Sequence, residues 1–255
     1  MNIQQYLNRI HYQGALTPSL AVLKALQKHH LLHIPFENLD IHHHTTITLD
    51  LDRIAQKVLF SKRGGFCYEL NGLFFELLQT LGFEVKRIAA RVFSPEKGYG
   101  PEFDHLAIIA NVNHQEYLVD VGFGAFTFQP LRIQLDEIQK DEMGYFRIEQ
   151  HNDTHLRVSK LENEAWTPSY IFTKTARAFS DYAAMCHYQQ TSPDSHFTKN
   201  YICSLARIDG RTSLSKDKLT ITTRGEKKEI PLPDELAFYQ ALSKHFGIHL
   251  PQQSH

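Results

Sequence analysis

The stretch Arg63-Gly64-Gly65-Phe66-Cys67-Tyr68-Glu69-Leu70-Asn71 carries the strongest chemical signal in this 255-residue chain. Two glycines form a tight turn and an apolar helix pattern begins at once, which puts Cys67 in the first helical turn. Unpaired N–H groups and the helix dipole favour negative charge there, so a thiolate at Cys67 is favoured over a thiol. Such a nucleophile needs a base, and the base needs an orienting group. His105 opens the run Asp104-His105-Leu106-Ala107-Ile108-Ile109, and Asp120 closes Tyr117-Leu118-Val119-Asp120. A hairpin about Asn113-His114 brings the start of the first run beside the end of the second. One His105 nitrogen then faces Asp120 while the other faces Cys67. The plainer alternatives are a core cysteine and two solvated strand-edge residues.

Other motifs are weaker. The sixteen histidines include His42-His43-His44, of which only His42 and His44 share a side if the run is extended; no nearby cysteine completes a familiar zinc set, and no metal is expected. There is no Walker-type GxxxxGK[ST] and no GxGxxG, so phosphate contacts must come from scattered polar groups. Cys67, Cys186 and Cys203 are too few and too scattered for a disulfide framework.

Positioning these residues needs both structural periods. Tyr6, Leu7 and Ile10 open a helical pattern, and Leu20 to Leu31 continue it after Thr17-Pro18-Ser19, read with Thr17 as the cap. Ile34 to Asp40 reads as irregular, and Leu49 to Phe60 as helical. Leu70, Phe74, Leu77, Leu78 and Leu81 make Phe66 to Leu81 the clearest helix, ended by Gly82. From Lys86 the period becomes two. Strands are expected at 86–93, 105–112, 116–121, 145–150, 155–161 and 169–173, the second and third joined by a turn at Asn113-His114-Gln115. A helix over 176–189, strands at 200–208 and 218–223, and a final helix over 234–245 complete the pattern. This is an α+β chain in three parts, 1–85, 86–175 and 176–255.

Composition sets outer limits. Hydrophobic residues make up 42% and charged residues 22%, which excludes disordered and collagen-like chains. Lys plus Arg number 27 against 28 Asp plus Glu, a net charge of -1, so nothing electrostatic points to nucleic acid. No run approaches the roughly 20 apolar residues of a membrane span, and MNIQQYLNRI does not read as a signal peptide. A soluble, reduced, cytoplasmic protein is expected, with monomer or homo-oligomer left open.

The motifs together resemble the arylamine N-acetyltransferase family. Arg63 to Asn71 matches its RGGxCxELN box; Asp104-His105-Leu106 and Asp120-Val121-Gly122-Phe123-Gly124 resemble its histidine strand and D-x-G-F-G segment. Ile34-Pro35-Phe36-Glu37-Asn38-Leu39 resembles its PFENL segment, and Thr191 to Phe197 its S-P-x-S-x-F loop. The resemblance implies a helical N-terminal bundle, a central antiparallel β-barrel and a C-terminal α/β lid, with a papain-like Cys-His-Asp constellation on Cys67, His105 and Asp120. It implies acetyl-CoA as co-substrate, no metal, and transfer through an acetyl-cysteine to an arylamine, arylhydrazine or N-hydroxyarylamine. Phe36 and Phe123 would hold the flat ring, core packing being their alternative. The loops around Pro101 and Phe103, and around Asp194, Ser195 and Phe197, would contact the cofactor, or be plain turns. Arg63 and Glu37 would pair to secure Gly64 and Gly65. The rival readings are an amide synthase of the same family, a Cys-His-Asp hydrolase or transglutaminase-like enzyme, and a non-enzymatic binding domain.

Overall fold

The computed structural model describes residues 2–250. Helices come first, at Ile3–Arg9, Leu20–His33, Leu39–His42 and Leu51–Ala55, the last running into a π-helical turn at Gln56–Phe60. The cap of the second is Ser19, not Thr17: its hydroxyl accepts from Val22 N–H at 3.2 Å. Thr17 lies three residues ahead of Leu20, where the helix begins, and so is too early in the chain to be the residue that caps it. The helix Cys67–Thr80 begins at Phe66, whose N–H donates to Glu69 Oε2 at 3.1 Å. Every side chain from Cys67 to Phe75 is buried, so the first half of this helix is enclosed on all sides rather than along one stripe. Gly82, at φ +91°, turns the chain away at its end.

Antiparallel strands follow. Their spatial order is Leu131–Arg132, Gln115–Val119, His105–Val112, Glu84–Ser94, Ala165–Phe172, Leu156–Glu162, Gly144–Gln150 and Gln139–Asp141, with Gly98–Tyr99 hairpinned onto Glu84–Ser94. Gln139 bonds both the N–H and the carbonyl of Arg132, at 2.7 and 2.8 Å, so the two ends of the sheet meet in a nearly closed barrel. Asn113 and His114 both take positive φ, the two-residue turn that matches the twist of a hairpin. The strand His105–Val112 is buried on both faces. Ala107 and Ile109 join the barrel core with Leu118, Phe146 and Tyr170, while Leu106, Ile108 and Ala110 pack with the helix Cys67–Thr80.

The last part has a 3-10 turn at Phe179–Tyr182, a helix Ala183–Thr191, a short helix His196–Lys199 and a meander of four strands: Cys203–Arg207, Gly210–Leu214, Lys218–Thr223 and Glu226–Pro231. Helix Glu235–Phe246 contributes Phe238 and Leu242 to a core shared with Leu205, Leu214 and Leu219. Residues 34–40, expected to be irregular, supply a two-residue strand, Phe36–Glu37, that pairs with Cys203–Arg207. That pairing ties the first helical segment to the C-terminal sheet. Among the described residues, no helix is long and apolar enough to cross a membrane.

Candidate active site

The glycine turn is built by close approach. A Cβ at Gly64 would sit 1.9 Å from the Pro35 carbonyl oxygen, and Gly65 bridges Phe36 while its carbonyl accepts from Glu37 N–H at 2.9 Å. Behind the turn lies a buried ion cluster. Arg63 donates to Glu37 at 2.9 and 3.1 Å and to Asp40 at 2.8 Å; Lys57 reaches Asp40 at 2.8 Å and Glu69 at 2.9 Å. Burial works to raise the Asp40 carboxyl, but Lys57 and Arg63 together hold it below its ordinary range. The expected Arg63–Glu37 contact is thus present as one edge of a larger network.

Cys67 emerges from this turn buried at 3% exposure. The sequence places a thiolate here by helix-start electrostatics, but burial alone drives the thiol well above its ordinary range. A backbone hydrogen bond from Leu106 opposes the rise, and the charges of Asp104 and Asp120 add to it. The first turn of a helix supplies too little to offset full desolvation of a charge. Any thiolate at Cys67 therefore depends on a cation beside it.

His105 Nε2 lies 2.7 Å from Asp120 Oδ2. Extending the pairing of Ile108 with Val119 by one residue puts Asp120 opposite Ala107, on the face that carries His105. The carboxylate accepts from every side: Tyr170 OH at 3.0 Å on Oδ2, and Asn71 Nδ2 and Gly122 N–H, each at 2.9 Å, on Oδ1. Asn71 also donates to Leu106 O at 2.7 Å and accepts from Val121 N–H at 2.9 Å. With the carboxylate as acceptor, Nε2 carries the hydrogen and Nδ1 is left over. Burial, then the charge of Asp120, pushes the Tyr170 hydroxyl well up, which keeps it a donor. Gly122 allows the loop after Asp120 to close over Cys67; a Cβ there would meet Cys67 Cα and Asn71 Nδ2 at 2.8 Å.

Cys67 and His105 open into one cavity of about 1010 Å³. Phe36 and Phe123 line it, and Phe123 meets the His105 ring edge-on with centroids 5.2 Å apart. Pro101, Asp194, Ser195 and Phe197 line it as well. The Ser195 hydroxyl is committed to Gln189 at 2.8 Å and accepts from Phe197 N–H at 3.1 Å, which shapes its loop. Phe103 departs from the expectation and does not line the cavity. At φ +64° its ring turns inward onto Tyr182, centroids 5.2 Å apart, and its carbonyl accepts from Tyr68 OH at 2.8 Å.

The histidine run is not extended. His42 ends the helix Leu39–His42, stacks on Tyr201 at 3.7 Å and bonds Asn200 O at 2.9 Å. Among the described residues, no three His, Cys, Asp or Glu side chains gather as a metal site. Sequence reasoning gave no role to Tyr170 or Arg211, whose neighbours in the chain carry no motif, nor to Gln189, which stands just ahead of the Thr191 to Phe197 segment. Asn71 could have been found, because it lies one helical turn beyond Cys67 on the same face.

A family model described as N-acetyltransferase matches residues 19–255. The chain belongs to the arylamine N-acetyltransferase family. It is 30% identical to the arylamine N-acetyltransferase / N-hydroxyarylamine O-acetyltransferase of Salmonella typhimurium, covering 99% of this chain and 91% of that one. It is 33% identical to the pineal gland isozyme NAT-10 of Gallus gallus, covering 91% and 87%. Among solved structures, the arylamine N-acetyltransferase of M. tuberculosis superposes with TM-score 0.91 at 33% identity, over 97% of this chain and 94% of that one. The Mycobacterium marinum enzyme in complex with CoA superposes with TM-score 0.90 at 31% identity, over 97% and 93%.

Proposed function

We propose that this member of the family transfers an acetyl group from acetyl-CoA to the nitrogen of an arylamine, arylhydrazine or N-hydroxyarylamine, through an acetyl thioester on Cys67. The observation that carries the reading is the hydrogen-bonded His105–Asp120 pair opening, with Cys67, into one large cavity. Three parts divide the work: residues 1–85 carry the nucleophile, 86–175 the histidine and aspartate, and 176–255 cover the cavity.

In the first step Sγ of Cys67 attacks the thioester carbonyl of acetyl-CoA, a carbon–sulfur bond forms and the bond to CoA breaks. The proton taken from the thiol by His105 Nδ1 passes to the departing CoA sulfur. In the second step the amine nitrogen attacks the acetyl carbon, its proton goes to His105, and Cys67 leaves to be reprotonated. Backbone N–H groups at the start of helix Cys67–Thr80, that of Tyr68 among them, face the developing oxyanion. An aromatic amine is neutral at pH 7, so its lone pair is free for attack, and Phe36 and Phe123 sandwich its ring. The loops at Pro101 and at Asp194 to Phe197 contact the CoA arm. A cytoplasmic location fits a chemistry that needs a reduced thiol and acetyl-CoA.

Mass spectrometry tests the reading. Brief exposure to acetyl-CoA should add about 42 Da to Cys67, and an arylamine should remove it. Hydrolysis of the adduct at the same rate with and without amine, or cleavage of peptide or glutamine substrates, would instead favour a hydrolase.

A further inference from the structure

Arg211 stands in the strand Gly210–Leu214 and lines the cavity. Its Nη1 donates to Ser204 Oγ at 2.7 Å and its Nη2 to the Gly124 carbonyl at 2.5 Å. Its Nε is buried without a hydrogen-bond partner. Among the described residues, no carboxylate pairs with it, in contrast to Arg63, which meets two. Burial alone lowers the guanidinium to about 10, still cationic at neutral pH. A half-buried cation without an anion is costly, and a planar fork with hydrogens to spare is the side chain best suited to an incoming oxyanion.

Its place in the cavity says which oxyanion. Ser204 is the cross-strand partner of Phe36, and Gly124 follows Phe123 directly. The guanidinium is thus anchored to the two segments that carry the aromatic walls beside Cys67, where the acceptor ring lies in the proposed reaction. We propose that Arg211 is a specificity residue that binds a carboxylate, or a similar oxyanion, carried on the ring of the acyl acceptor. This inference rests on the acyl-transfer reading above for the ring's place. The preferred acceptor class is then an anionic arylamine, an aminobenzoate rather than its neutral amide.

The test compares 4-aminobenzoate with 4-aminobenzamide, near-identical in shape and different in charge. The ratio of their kcat/KM values should fall by about tenfold or more in Arg211→Gln, and Arg211→Lys should restore part of it. Equal proportional loss for both acceptors would overturn the proposal and leave Arg211 a strap on Gly124. A rise in the acetyl-CoA KM with an unchanged acceptor ratio would assign the anion to a CoA phosphate and overturn it too. Calorimetry on the unacetylated wild-type chain is independent of turnover and of whether the variant folds: benzoate should bind more tightly than benzamide. Equal binding would refute the oxyanion site. Absence of acetyl transfer to either amine would refute the function proposed above, while equal binding of benzoate and benzamide would still refute the oxyanion site on its own.

Discussion

Two buried polar assemblies flank the same glycine turn and are built to opposite ends. On one side Arg63 and Lys57 face Glu37, Asp40 and Glu69, and backbone N–H groups of Leu39 and Phe66 take up further carboxylate capacity. Charge meets charge at every corner. On the other side Asp120 is saturated by donors, yet the His105 ring it holds keeps one nitrogen for the cavity. The first assembly is closed and secures a backbone; the second is complete except at the one ring nitrogen that the proposed chemistry uses. Burial alone therefore does not identify a reactive site. What identifies it is a fully supported group with one valence left toward open space.

This contrast can be broken by substitution, and the largest effect belongs to the open assembly. Replacing His105 by Gln should lower acetyl transfer about 10³–10⁴-fold, read by single-turnover acetylation, while the melting transition stays close to wild type. Asp120 will not behave so cleanly: Asp120→Ala strands the donors of Asn71, Gly122 and Tyr170, so both stability and activity should fall. The closed assembly should answer in stability first. Arg63→Ala removes the hydrogen-bonded cation of Glu37 and leaves Lys57 alone to face three carboxylates, which should cost about 3–5 kcal/mol in denaturant unfolding. Unchanged unfolding would show the cluster to be incidental.

A third buried site sharpens the comparison through pH. His30 is fully buried, with Nδ1 2.6 Å from Tyr6 OH, and burial, with the charges of Arg9 and His33, lowers it to about 3. The unfolded chain binds this proton near pH 6.5 and the folded chain only near 3. Stability should therefore be fully present above pH 6.5 and decline below it by about 1.4 kcal/mol per pH unit. His30→Gln should flatten that slope; an identical slope would assign acid sensitivity to other groups. Smallest is Tyr170→Phe, which removes one donor from Asp120 and should cost about 1 kcal/mol. A shift in the pH–rate profile with this variant would mark Tyr170 as positioning the pair rather than merely packing beside it.

The sequence reading and the structure part company for identifiable reasons. The helix after Gly65 and the strand His105–Val112 were legible because their apolar spacing is strong and their ends carry glycine or turn residues. The strand Glu226–Pro231 was not, because its Glu226-Lys227-Lys228-Glu229 run is an exposed edge with no buried face to leave a period. Phe36–Glu37 was missed because its partner is more than 160 residues away and only two residues pair. Within the site, Cys67, His105 and Asp120 could be named from motif and hairpin register. Tyr170 and Arg211 could not, since Tyr170 reaches Asp120, and Arg211 the cavity, by sheet pairings that no local pattern announces. The electrostatics of Cys67 were read with the wrong emphasis: local helix-start geometry is visible in sequence, whereas desolvation belongs to the folded whole.

The central claim is that His105, not the helix start, makes the Cys67 thiol reactive. The direct measurement is the pH dependence of Cys67 alkylation by iodoacetamide in the wild-type chain and in His105→Gln. With the imidazole present, the midpoint should fall below the roughly 8.5 of free cysteine, and without it the midpoint should climb above that value. The same midpoint in both proteins would contradict the account.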